Sequence, residues 1–224
     1  MRQTYFLLVI CLLSLCLFSC KKNDGVNQHL DPHGQLSYDF MPKNEGSWWR
    51  YGSQTDIPYN RYARNKDSVM LGLTYRYYER KDDSAHGFQP EYFGKNNNFY
   101  LTLIDLDGSA SNYVNYVYWK DSATLHTSWT NTASVNSPIG NVTITMSSSV
   151  AEYAISMTFS GQTFTNVMHV HSDCKGGLFN TNLGTLDVWF VKGLGIIREE
   201  ANFNLLNQYK VKHTDSLIDY HIEP

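Results

Sequence analysis

From residue 37 onward, apolar residues tend to recur at every second position rather than every third or fourth. The runs are Ser68 to Tyr78, Asn98 to Ile104, Tyr113 to Trp119, Asn141 to Met146, Glu152 to Phe159, Thr163 to His171, Leu186 to Val191, Gly195 to Phe203 and Asn207 to His213. They are full of Val, Ile, Thr, Tyr and Phe, which suit a pleated, half-buried surface, and Gly, Asn, Asp and Ser bound them. Asp107-Gly108 and Ser160-Gly161 supply turn signals between runs. No window carries the stripe of an amphipathic helix, and no spacer is long enough for the crossover that parallel neighbours need. The expected fold class is therefore all-β: a single antiparallel meander curling into a barrel-like or half-barrel sheet, with a β-sandwich as the alternative. Residues 37-224 are expected to form one domain.

The amino-terminal residues follow a different pattern. Arg2 is followed by an apolar run from Tyr5 to Phe18, shorter than the ~20 residues that span a bilayer. It ends Leu17-Phe18-Ser19-Cys20, which resembles the lipobox of bacterial lipoproteins. That resemblance implies a signal peptide over residues 1-19 and acylation of Cys20, which would then tie the chain to membrane lipid without crossing it. Residues 20-36 comprise that cysteine and a polar stretch with almost nothing to bury, read as a disordered tether. Lys21 follows the cysteine, and likeness to sorted lipoproteins implies the cell envelope and the outer membrane, on either its periplasmic or its surface face.

Cleavage after residue 19 would remove Arg2, leaving 17 of the 18 Lys+Arg against 21 Asp+Glu and a net charge of −4. A weakly acidic chain without a basic cluster lacks the footprint of a nucleic-acid partner. Of the four cysteines, Cys11 and Cys16 would leave with the signal and Cys20 would carry lipid, so Cys174 would stay without a disulfide partner.

Two stretches resemble a group of uncharacterised exported bacterial lipoproteins. One is Asp39 to Tyr51, in which Pro42, Gly46, Trp49 and Tyr51 fall on an aromatic-x-Pro-x-x-x-Gly-x-x-Trp-x-Tyr pattern. The other is Trp189 to Arg198, where Lys192, Gly193 and Gly195 form a Lys-Gly-x-Gly turn between an aromatic and an aliphatic strand. The resemblance implies an architecture and a location, and no reaction. Physically these positions read as fold determinants. Trp49 and Tyr51 lie on one strand face, suited to plugging a curved sheet, and Gly193 and Gly195 serve a tight turn.

Signatures of chemistry are sparse. No nucleophile elbow, His-Glu-x-x-His, phosphate loop or Cys-x-x-Cys is present, and no cofactor is expected. His169 and His171 share a strand face about 7 Å apart and are a candidate metal pair, with Asp173, Cys174 or His126 as further ligands. A half-exposed strand explains the same residues without a metal. Four Asp-Ser-apolar triplets place Ser68, Ser84, Ser122 and Ser216 in a context resembling an O-glycosylation signal of Gram-negative bacteria; turn chemistry at strand boundaries is the favoured explanation of any single site and is compatible with glycosylation there. The chain's 16 Tyr, 11 Phe and 5 Trp point to an aromatic platform or an apolar pocket.

Three function classes follow. The first is a non-catalytic binding or accessory module taking a glycan, peptide or apolar ligand. The second is a structural component assembling with another outer-membrane protein. The third is a hydrolase without a recognisable motif, drawing on Glu79, Glu91, Glu152, Glu199 or Glu200.

Overall fold

The computed structural model describes residues 40–223 apart from 55–56, 84–86, 106–112, 138–139, 178–180 and 206–208. The signal segment, Cys20, the 20-36 stretch and Ser84 therefore lie outside the described residues. The strands are β1 (Trp48–Ser53), β2 (Tyr59–Met70), β3 (Leu73–Asp82), β4 (Phe88–Asn96), β5 (Phe99–Asp105), β6 (Tyr113–Lys120), β7 (Ser128–Ser137), β8 (Gly140–Phe159), β9 (Gln162–Gly176), β10 (Thr181–Val191), β11 (Gly195–Leu205) and β12 (Tyr209–His221).

All twelve form one antiparallel sheet in the order β6-β5-β4-β3-β2-β1-β12-β11-β10-β9-β8-β7. β1 pairs with both β2 and β12, so the two ends of the domain meet in the middle of the sheet. The sheet curls until its edges, β6 and β7, face each other as a nearly closed barrel, which decides against the sandwich. Side chains bridge this seam: Trp129 Nε1 donates to the Val117 carbonyl at 2.9 Å, and Val117 N donates to Asn131 Oδ1 at 3.3 Å. The β6–β7 connection is held elsewhere, Asp121 N on the Asn98 carbonyl at 2.7 Å and His126 N on the Val150 carbonyl at 2.9 Å. Such bonds satisfy edge groups that would otherwise template association.

One end of the barrel is plugged. Phe40 packs edge-on against Tyr100 at 4.9 Å and Phe190 at 5.4 Å, and tilts against Trp119 at 5.3 Å. Alternation places Trp49, Tyr51, Tyr78 and Tyr116 inward, each essentially fully buried. A smaller apolar layer of Tyr75, Leu101, Leu103 and Val117 lies apart from this core, with Tyr75 lying against Gly94, where a Cβ would come within 2.9 Å of its ring.

The structure departs from the sequence expectation in register. The run Ser68 to Tyr78 is two strands, because Leu71 and Gly72 take positive φ (53° and 76°) and turn the chain between β2 and β3. The runs read as Asn141 to Met146 and Glu152 to Phe159 belong to one long strand, β8, with register shifts between Val150 and Met157. Strict alternation would put the neighbours Tyr118 and Trp119 on opposite faces; a bulge where Tyr100 pairs with Trp119 and Leu101 with Val117 turns both into the core. β4 and β7 had no counterpart in the expected runs.

Candidate functional site

Towards the end away from the plug, the barrel interior keeps a cavity of about 280 Å³. Period-two alternation aims Tyr59 and Arg61 of β2, Glu91 and Phe93 of β4, Glu199 and Ala201 of β11, and Val211 and His213 of β12 into it. The facing wall is apolar, with Tyr116 and Tyr118 of β6, Met146 of β8 and Leu186 and Val188 of β10. One side of the cavity is therefore charged and the other is greasy.

The charged side is a connected network. The Arg61 side chain is only 5% exposed and grips Glu91 with two prongs, Nε to Oε2 and Nη2 to Oε1, the latter at 3.2 Å. Its Nη1 donates to the Tyr51 hydroxyl at 2.9 Å, which donates onward to the Ile196 carbonyl at 2.8 Å. Burial works against the Arg61 charge, but Glu91, Tyr51 and Tyr59 hold its pKa above the usual arginine value. Arg80 lies over the Tyr59 ring at 3.8 Å. His213 Nε2 meets Glu199 Oε1 at 2.9 Å and Asp215 Oδ2 at 3.9 Å.

Burial pulls Glu199 upward, yet the His213 hydrogen bond and the charges of His213, Arg61 and Arg80 keep its carboxyl below the ordinary value. Burial likewise disfavours charge on His213, and Glu199 overrides it, raising the imidazole. Asp215, 2% exposed, is raised chiefly by burial, and its Oδ1 has no hydrogen-bond partner. On the far wall the Tyr116 hydroxyl reaches Ser172 at 2.9 Å, which reaches Ser148 at 2.8 Å. Burial pushes the Cys174 thiol up to about 11, away from the thiolate form at neutral pH.

Of the five glutamates named from sequence, the fold brings Glu91 and Glu199 to this cavity. The other three bind partners outside it: Glu79 pairs with Arg64, Glu152 with His169, and Glu200 with Arg198. Both of these glutamates are engaged as ion-pair partners, Glu91 with Arg61 and Glu199 with His213.

The two sequence motifs, far apart in the chain, meet. Trp49 Nε1 donates to the Leu194 carbonyl at 2.7 Å, and the Tyr51 hydroxyl reaches the next inward carbonyl of the same turn region, that of Ile196. The Pro42 carbonyl accepts from the Tyr78 hydroxyl at 2.7 Å, and Gly46 takes a φ of 99°. Lys192 Nζ lies 5.9 Å from the Phe40 ring centre. Gly193 and Gly195 have φ of 78° and 103°, and a Cβ on Gly195 would come within 2.8 Å of Met41 Sδ.

His169 and His171 do share a face, and carboxylates occupy it with them. Asp187 Oδ1 is 2.8 Å from both His169 Nε2 and His171 Nδ1, while Glu152 Oε2 is 3.0 Å from His169 Nδ1. His169 stacks on Trp189 with ring centres 4.1 Å apart. Cys174 lies on the inward face of β9, away from the pair, and Asp173 is 3.7 Å from His171. Among the described residues no three His, Cys, Asp or Glu side chains are grouped to hold a metal. Ser122 is exposed in the turn after β6, as the turn reading expects. Ser68 is half-buried within β2, and Ser216 lies mid-strand in β12 between Gly52 and Arg198, so these two are not at strand boundaries.

No family model matches the chain, and no curated protein sequence does. Among solved structures, a provisionally named lipoprotein from Parabacteroides distasonis superposes with a TM-score of 0.51 at 11% identity, over 84% of this chain and 100% of that one. A provisionally named exported protein from Bacteroides fragilis, described as having a YmcC-like fold, gives a TM-score of 0.49 at 10% identity, over 81% and 98%. The likeness to the Parabacteroides protein is one of fold.

Proposed function

We propose that this protein is a lipid-anchored envelope lipoprotein, held to the outer membrane through acylated Cys20, whose barrel interior binds a small amphipathic molecule. The anchor rests on the Leu17-Phe18-Ser19-Cys20 sequence and on a fold shared with a protein named as a lipoprotein. The binding role rests on one observation: a charged wall, Arg61, Glu91, Glu199 and His213, kept inside a barrel beside unfilled space.

Two physical arguments give that observation weight. Interiors normally pack to crystal density, and about 280 Å³ is close to the lower end of ligand pockets, roughly 300–1,000 Å³. Buried ion pairs stabilise a fold poorly compared with apolar residues of the same volume, so a site explains their presence better than stability does. A ligand with a polar head for the Arg61 and His213 side and an apolar body for the Tyr116, Leu186 and Val188 side fits both walls. Because both cavity glutamates, Glu91 and Glu199, are held in ion pairs, binding is favoured over hydrolysis.

The test uses 1-anilinonaphthalene-8-sulfonate, an amphipathic fluorescent anion, as the probe. The wild-type protein is expected to bind it saturably, and Leu186→Trp, which fills the cavity, to lose that binding while keeping its circular dichroism spectrum. Equal binding to a folded Leu186→Trp protein would place the dye on the surface and sink the proposal.

A further inference from the structure

The meander puts the β2–β3, β4–β5, β6–β7, β8–β9 and β10–β11 turns at one end of the barrel, together with the start of β1 and the end of β12. This is the plugged end, where Phe40 and Met41 pack. It is also where the chain arrives from Cys20, at most nineteen intervening residues away.

Two turns at this end expose apolar side chains. Val69 is 75% and Leu71 59% exposed on the β2–β3 hairpin, and Leu125 is 47% exposed in the β6–β7 connection. Leu71 is the informative one. With φ of 53° at Leu71 and 76° at Gly72, this two-residue turn has left-handed backbone at both positions, the first of which normally carries Asn, Asp or Gly. Leucine there opposes the backbone preference and shows an apolar side chain to solvent, so the free domain gains nothing from it. The hairpin is nevertheless firmly held, since Met70 and Leu73 on either side pack onto the Tyr75, Leu101 and Val117 layer. Lys43, Lys66, Lys95, Lys120 and Lys192 share this end with Glu45, Asp67, Asp121 and Glu223. Arg76 pairs with Asp67 and Lys95 with Asp121, so the end is close to neutral and a lipid headgroup layer does not repel it.

Resting on the lipoprotein reading above, we propose that the plugged end is a membrane-docking surface, with Val69 and Leu71 inserting into the interface of the bilayer that holds Cys20. Apolar tips inserting in this way add affinity in proportion to the area they bury. Docking at this end directs the cavity end away from the membrane, towards soluble ligands. Only the nineteen residues from Lys21 to Asp39 separate acylated Cys20 from Phe40 at this end, which makes the bilayer the occupant in reach.

The experiment uses the full chain, exported and acylated in a bacterial host and reconstituted in phosphatidylethanolamine–phosphatidylglycerol vesicles. Leu71→Cys and, at the other end, Lys175→Cys are each labelled with a nitrobenzoxadiazole fluorophore; buried Cys174 and thioether-blocked Cys20 do not compete. Mass spectrometry first establishes acylation. The label at residue 71 is expected to brighten several-fold and be quenched by doxyl lipids, while that at 175 stays accessible to aqueous iodide. An acylated protein whose residue 71 label is as iodide-accessible as the one at 175 would overturn the docking surface and leave the anchor standing. An unmodified Cys20 would overturn both. A residue 71 label that is wet in vesicles and shielded only in host membranes would assign the surface to a protein partner and overturn the lipid assignment.

Discussion

Replacing Trp49 with phenylalanine tests whether the contact between the two motifs organises the barrel. Trp49 is fully buried, tilts against Tyr78 at 6.0 Å, and donates through Nε1 to the Leu194 carbonyl at 2.7 Å. Phenylalanine keeps the ring against Tyr78 and removes the N–H. The Leu194 carbonyl is then left buried without its partner, at about 1–3 kcal/mol. The ring atoms lost add about 1 kcal/mol of transfer free energy. The sum, roughly 2–4 kcal/mol, is a large share of the ~5–15 kcal/mol that stabilises a typical domain. At about 2–4 °C per kcal/mol for a domain of this size, the Tm should fall by some 4–16 °C. The matched control is Trp48→Phe, since Trp48 is only partly buried and stacks on His221 at 6.5 Å; its change should stay within about 0.5 kcal/mol. Circular dichroism melts of both variants decide the matter. If Trp49→Phe melts within about 2 °C of wild type while the far-ultraviolet spectrum is unchanged, the hydrogen bond across the motifs contributes nothing and the reasoning fails.

Two further predictions concern charge and backbone. Glu199 is held below its ordinary 4.5, so its stabilisation is complete above that value and is lost as pH falls through the folded pKa; His213 is raised above its ordinary 6.5, so its stabilisation is complete below that value and is lost as pH rises through the folded pKa. The pair therefore contributes fully between 4.5 and 6.5, and the Tm of His213→Gln should fall less than that of wild type on passing to alkaline pH; parallel curves from a melt series would exclude the coupling. At Gly184, with φ of 138°, a Cβ would lie 2.0 Å from the Asn202 carbonyl oxygen, so Gly184→Ala should fail to give soluble folded protein. Gly161→Ala, at φ of 76° with open space around it, should cost only about 1–2 kcal/mol, and comparable soluble yields of the two would contradict the β10–β11 approach.

What could be read from sequence and what could not divide along one physical line. Alternation sets strand existence, and the strands Asn98 to Ile104, Tyr113 to Trp119 and Thr163 to His171 were legible because both faces carry β-favouring residues. Trp49, Tyr51, Gly193 and Gly195 stand out in the sequence because large aromatics and turn glycines have few uses other than packing and turning; the structure buries the two aromatics and gives the two glycines positive φ. The cavity was not. In Tyr59-Asn60-Arg61-Tyr62-Ala63 the inward set is Tyr59, Arg61 and Ala63, and in His213-Thr214-Asp215-Ser216-Leu217 it is His213, Asp215 and Leu217. Period-two patterning tells the faces apart only by polarity, so a strand whose inward residues are charged looks as though it turns them to water. The usable signal was a face that changes character along its length, charged at one end and fully apolar at the other, as from His213 to Leu217. Bulges hid the rest: the shifts at Tyr100/Leu101 and Trp189/Phe190 put neighbouring residues on one face, which a strict alternation forbids. Arg61 and Glu91 come from different strands and acquire a partner only when β2, β3 and β4 curl together. A charge at such a position has no local mark of burial; its meaning is fixed by closure of the barrel, and closure depends on contacts between residues remote in sequence, such as Trp129 with Val117 at the seam and Trp49 with Leu194 at the plug.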